Sequence, residues 1–341
     1  MKQQIKIFIG LLLLIHFNTI SKAQDVHFSQ HYLSPLNVNP ALVGQFNGCF
    51  RFNTNYRNQW SSVMGSSSYQ TMAFSGDAQI LKDQLGGNFI GMGVNFYSDK
   101  AGDLGYGTQV IGFNLGYCQI LNKKKPLTLA AGLHISDWSK KLDLSKVSLD
   151  DLNDIPNLTA NVSFIDFGTG LFLYHQPLKW LNYNVGFSIL HLNNINQSFV
   201  RLTDDLGKKK QFHGSAYIQV SDAFTLIPSF LYINQLSAKQ LQTSVLAKVL
   251  IDDNGDRETA VYFGLGTRFS KPSIDAATLF FRVDVYHFAV GLSYDFNVSQ
   301  LHYVSHQLGG PEFAIQYIIR CPKSKSIMYR GRGKKLFCPR F

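Results

Sequence analysis

The chain has 341 residues, a formal net charge of +10, 13% aromatic and 16% charged residues, and 28 glycines. Soluble domains carry nearer 25% charged residues, and no apolar run beyond the first 23 residues approaches the ~18 needed for a spanning helix. The composition argues against an ordinary soluble domain and against helical membrane spans, and it suits a sheet with one face towards lipid. Four scattered cysteines without a CxxC exclude a disulfide scaffold.

In chain order, Lys2 and Lys6 precede a short apolar run from Ile7 to Phe17, and Ser21-Lys22-Ala23 follows with small residues two apart. This is the pattern of a secretory signal peptide, residues 1–23, cleaved after Ala23. No cysteine stands at the cleavage site, so no lipoprotein is expected. Residues 24–48 follow as an irregular segment that contains "FSQHYLSPLNVNPALVG", Phe28 to Gly44. Pro35 and Pro40 argue against both a helix and a central strand. An irregular segment is tolerated at a barrel mouth or inside a water-filled lumen but not against lipid. Phe28 to Gly44 is therefore expected to pack as a plug in the periplasmic mouth, with Phe28, Tyr32 and Leu36 as anchors.

From residue 49 to 320, alternation with period two recurs. In "FIGMGVNFY", Ile90, Met92, Val94 and Phe96 oppose glycines and Asn95; in "FAVGLSYDF", Phe288, Val290, Leu292, Tyr294 and Phe296 oppose Ala289, Gly291, Ser293 and Asp295. Fourteen strands are expected, near 49–60, 68–80, 89–97, 106–120, 127–137, 162–175, 181–191, 211–220, 224–233, 241–251, 260–270, 277–285, 287–296 and 311–320. Long odd-numbered connections (138–161, 192–210, 297–310) and very short even-numbered ones (221–223, Tyr286-His287) predict an all-β, antiparallel outer-membrane barrel. Both chain ends and the short turns would then be periplasmic, with 138–161 and 192–210 outside.

Arg51 and Arg57 alternate with Phe52 and Tyr56 on the first strand, and Arg282 and Asp284 sit mid-strand later. A lipid-facing arginine would cost ~2–4 kcal/mol at the midplane, so these charges are expected in the lumen. They either pair there, with Asp166, Asp284 or Asp295, or form an anion-selective or ligand-contacting surface.

Other motifs carry no chemistry. "GMGVNF" and "GLGTRF" lack the helix and third glycine of a phosphate loop. In "DDNGDRE", Asp252, Asn254 and Asp256 have calcium-loop spacing, but Arg257 and Phe263 replace the required glycine and glutamate; Asn254-Gly255 reads as a hairpin turn. There is no HExxH and no GxSxG. No catalytic residue, metal or cofactor is expected, and the protein is not expected to be an enzyme.

The tail 321–341 is basic, with Lys323, Lys325, Arg330, Arg332, Lys334, Lys335 and Arg340 and no acidic residue. It is either a solvated tail or a docking segment, centred on Arg330, Arg332, Lys334 and Lys335, for an acidic periplasmic partner or the inner surface of the outer membrane. Nucleic acid is not a partner in this compartment. Cys321-Pro322 and Cys338-Pro339 repeat one dipeptide in an oxidising compartment, where Cys321 and Cys338 can pair; Cys49 and Cys118 are poorer candidates, and four free thiols are the alternative.

Several of these stretches together resemble the PorP/SprF family of outer-membrane proteins. "NPALVG", with Asn39, Pro40 and Gly44, is similar to its N-terminal signature. "YRNQW", "GMGVNFYSDKAG", "LIPSFLY", "VGLSYDFNVSQL" and "GGPEFAIQY" follow in family order. The resemblance implies a non-enzymatic accessory of type IX secretion and gliding motility. It implies support for delivery or surface attachment of adhesins with type B C-terminal domains, and contact with the periplasmic ring and peptidoglycan-linked proteins of that machinery. The alternative is a substrate-specific diffusion channel with an N-terminal plug.

Overall fold

Side chains that alternate between large apolar and small or polar can satisfy lipid on one face and a filled lumen on the other only if the sheet closes, because lipid offers no partner to a free strand edge. A computed structural model shows this closure. It describes residues 25–102, 105–146, 159–200, 203–253, 258–270, 273–299 and 308–320. The strands are β1 (Phe50–Gln59), β2 (Tyr69–Ile80), β3 (Phe89–Ala101), β4 (Tyr106–Asn122), β5 (Leu127–Lys141), β6 (Asn161–Leu178), β7 (Leu181–Leu190), β8 (Lys209–Gln219), β9 (Phe224–Gln235), β10 (Ala238–Asp253), β11 (Glu258–Ser270), β12 (Ser273–Val285), β13 (Phe288–Asn297) and β14 (Leu308–Ile319). Each pairs antiparallel with its chain neighbours, and β1 closes on β14 from Phe50↔Ile319 to Arg57↔Glu312.

All fourteen expected strands are present. Leu133, Ile111 and Leu265 stand outward and are more than 60% exposed, as a lipid-facing band requires, whereas Asn53, Asn114 and Asp166 point inward and are buried. None of the described helices is long and apolar enough to cross a membrane.

The two ends differ. One end carries the connections 81–88, 123–126, 179–180, 220–223, 254–257 and 286–287; the other carries the long connections 142–160, 191–208 and 298–307. The loop end also has shorter links at 60–68, 102–105, 236–237 and 271–272, so that 142–160 and 191–208 join neighbouring strand pairs whereas 298–307 joins β13 to β14, apart from them. The expected loop 138–161 is shorter than read from sequence. β5 runs on to Lys141, because Trp138 and Lys140 continue the inward alternation and are buried. A lysine resembles a loop residue in sequence, but a lumen accommodates it: Lys140 donates to Gln197.

Candidate functional site: a lumen threaded by the N-terminal segment

The core of this barrel is its own N-terminal segment. Pro35–Val38 and Pro40–Leu42 form two short helical turns, each with proline at its first position. There the missing N–H is not needed and the fixed φ is favourable, so these prolines start turns where the sequence reading excluded helix. Asn39 joins the turns: its Oδ1 accepts from Ala41 N at 2.9 Å, and its Nδ2 donates to the Leu171 carbonyl at 3.0 Å.

The segment runs the full height of the lumen. At the loop end, Asp25 N donates to Gln235 Oε1 at 3.2 Å and Asp25 Oδ2 lies 2.6 Å from His191 Nε2. Phe28 packs among Ala73, Tyr97, Val110 and Trp138. Further down, the backbone N–H groups of Ser29 and Gln30 both donate to the Glu312 carboxylate at 2.8 Å. Leu36 is buried, and the Tyr32 ring lies against Phe280 and Arg282. At the turn end, Gly44 N donates to Asp77 Oδ2 at 2.8 Å, and Gln79 Nε2 donates to the carbonyls of Gly44 and Phe46.

The expectation that Phe28–Gly44 rests in one mouth, with both termini on one side, is corrected by this path. Asp25 lies at the loop end, whereas Arg320 follows β14 at the turn end. No sequence pattern states how deep a segment enters a lumen. The signal that bears on it is the glycine on the inner faces. A Cβ on Gly91 would stand 2.4 Å from the Val43 carbonyl oxygen, one on Gly132 would stand 2.4 Å from Ala41 N, and one on Gly170 would stand 2.0 Å from Asn39 Oδ1. These positions have no side chain because the plug occupies the space, with its backbone at Gly91 and Gly132 and with the Asn39 side chain at Gly170.

The lumen charges are paired. Arg51 and Asp77, both fully buried, form a salt bridge at 2.8 Å, and Arg51 also donates to the Leu42 carbonyl at 3.1 Å. Arg57 donates to the His27 carbonyl at 2.8 Å and to Asp295 at 2.9 Å. Arg268 bonds Asp295 and Asp275. Arg282 bonds Asp284 at 2.6 Å, and its guanidinium lies 4.9 Å from the Tyr262 ring centre. Of the two readings of these arginines, the paired one describes the geometry. Asp77 and Glu312 escaped sequence reasoning, because period two puts a residue in the lumen without naming what it meets.

At the loop end His191 bridges Asp25 and Asp166, and Lys209 Nζ lies 3.8 Å from Asp25. Burial pushes the His191 imidazole down, but the Asp25 and Asp166 carboxylates outweigh it and raise the pKa to about 9. Burial raises Asp25, yet His191 and Lys209 hold it well below the usual carboxylate range. His31, buried in the plug without a charged partner, is pushed down to about 4.

Cys49, just before β1, is disulfide-bonded, although the sequence reading ranked it a poor candidate. Cys118 is buried on the lumen face, its thiol 3.9 Å from Gln45 Oε1. Cys321, Cys338, Arg330, Arg332, Lys334 and Lys335 lie outside the described residues. Among the described residues no group of three or more His, Cys, Asp or Glu side chains is arranged to hold a metal ion.

A family model described as "Type IX secretion system membrane protein PorP/SprF" matches residues 20–310. No curated protein matches the chain. Among solved structures, the CymD monoaromatic hydrocarbon channel is similar at 11% identity, covering 89% of this chain and 95% of its own, with a TM-score of 0.49. The toluene transporter TodX of Pseudomonas putida follows at 11% identity, covering 86% and 93%, with a TM-score of 0.46. The KdgM porin is similar at 7% identity, covering 79% and 99%, with a TM-score of 0.39.

Proposed function

Because the chain belongs to the PorP/SprF family of type IX secretion system membrane proteins, we propose that this outer-membrane barrel is a non-enzymatic accessory that supports delivery or surface attachment of adhesins with type B C-terminal domains. The observation that carries this reading is the lumen. It is occupied from end to end by the chain's own N-terminal segment, tied to the wall by Arg51–Asp77, Arg57 to the His27 carbonyl, and Glu312 to two plug amides. A barrel filled in this way serves better as a fixed platform than as a conduit.

In this reading the long loops face outside and meet the secreted adhesin. The turn end faces the periplasm, where the basic residues Arg330, Arg332, Lys334 and Lys335 dock to the periplasmic ring and peptidoglycan-linked components. The test is deletion and complementation in the native cell. Loss of the adhesin from the surface, restored by the wild-type chain and with the adhesin co-purifying, supports the accessory role. Unchanged surface display in the deletion strain contradicts it.

The second reading, a substrate-specific diffusion channel whose plug moves, is favoured by one feature: the plug does not fill the β7–β12 side at the turn end, where a cavity remains.

A further inference from the structure

The plug fills the lumen unevenly. Its Pro40–Leu42 turn presses on β4, β5 and β6, and a shorter turn at His31–Leu33 presses on β1 and β14. Against β7–β12 it leaves a cavity of about 350 Å³, floored by His31, Tyr32 and Pro35 and bordered at the turn end by Lys179, Trp180 and Asp222. This volume lies in the range of small-ligand sites.

The chemistry of the walls narrows the ligand. Aromatic rings come from Tyr217, Tyr262 and, at the rim, Trp180. Between them lie neutral amides and a hydroxyl, among them Gln176, Asn182, Gln219 and Ser215. The inner charges are balanced within the wall, Lys248 by Glu258 and Arg282 by Asp284, so an anion would find its cations already engaged. An acyl chain would strip the amides of water and return no hydrogen bond. A polyhydroxylated ring satisfies both surfaces: its C–H face covers the aromatics and its hydroxyls exchange with water at the amides. Two plug atoms also await a partner, since Tyr32 Oη and His31 Nδ1 are buried with no hydrogen bond among the described residues. Buried polar atoms of this kind are uncommon, and both belong to residues that line the cavity.

We propose that this cavity is a binding site for a neutral saccharide of one or two rings, held between Tyr217, Tyr262 and Trp180 and hydrogen-bonded by Tyr32 and His31 of the plug. The plug then has a second role, as the floor of a receptor that opens at the turn end.

The test uses the full-length barrel in a detergent without a sugar headgroup. Titrations with cellobiose and with N,N′-diacetylchitobiose are followed by calorimetry and by tryptophan fluorescence. Saturable binding of either is expected, and the two probes distinguish a plain from an amino-sugar glycan as the source. Trp180→Ala, on an exposed turn, and Tyr32→Phe, which removes only the hydroxyl, should each weaken binding by roughly tenfold, the size of one lost contact or hydrogen bond. Both variants should keep the wild-type circular dichroism. Failure of both disaccharides to bind folded protein overturns the proposal. So does wild-type affinity in both variants, or saturation only by a neutral peptide or a fatty acid run in parallel.

Discussion

Pro40 lies over Gly132, so that a Cβ on the glycine would stand 2.5 Å from the Pro40 carbonyl oxygen. Backbone meets backbone here, and neither side has a flexible end that can give way. A Gly132→Val variant is expected to leave the lipid face of β5 unchanged and to unseat the plug. Overpacking of this kind costs ~1–3 kcal/mol, enough to raise the unseated population by about fivefold to 150-fold. Limited proteolysis in detergent is the check: rapid cleavage within 25–45 in the variant, with the barrel intact, is expected, and equal resistance in variant and wild type contradicts the close contact.

The Arg51–Asp77 bridge ties the plug as well as the wall, since Asp77 also accepts from Gly44 N and Arg51 donates to the Leu42 carbonyl. Removing one partner of a buried pair leaves an uncompensated charge and costs ~3–5 kcal/mol. Arg51→Ala and Asp77→Ala should each lower the unfolding midpoint sharply, and the double variant should lose less than the sum. Additive losses in a double-mutant cycle would show that the two groups do not interact.

Arg51 shows how far sequence reaches. Period two placed Arg51, Arg57, Arg282 and Asp284 in the lumen, and the fourteen strands followed from the same alternation with the turn lengths. Partners were less legible. Arg57 meets Asp295, which the lumen reading had named, but Arg51 meets Asp77, which no spacing indicated. The plug's course was hidden for the same reason: Asp25, His191 and Asp166 are far apart in the chain and join only because the segment passes through the whole lumen.

The Asp25–His191 contact gives the start of the plug a pH dependence. The His191 pKa rises from 6.5 to about 9 on folding, so its contribution is complete below about pH 6.5 and is lost as pH rises through about 9. Amide protection factors at Val26–Gln30 should fall across that window and stay flat in His191→Gln. Equal pH dependence in the variant would assign the change to other groups.

Asp25 and the long loops share one end of the barrel. Single-cysteine reporters at Gln24 and at Asn153, in a background without other thiols, should therefore show the same sidedness to a membrane-impermeant reagent. Labelling of both on intact cells also fits the proposed orientation. Labelling of one before lysis and the other only after it contradicts the threaded path.

Non-reduced peptide mapping of native membranes should recover Cys49 in a disulfide. Cys321 and Cys338, the pair read from sequence, lie outside the described residues. Recovery of that pair with Cys49 alkylated would reverse this assignment.

Closure of the lumen by the N-terminal segment is tested most directly by conductance of the purified full-length protein in a planar bilayer. Wild type is expected to show no steady conductance, and a chain lacking residues 25–43 should open steady channels. Steady conductance by the intact chain, with residues 25–45 still protected from protease, would contradict a sealed platform and support the diffusion channel.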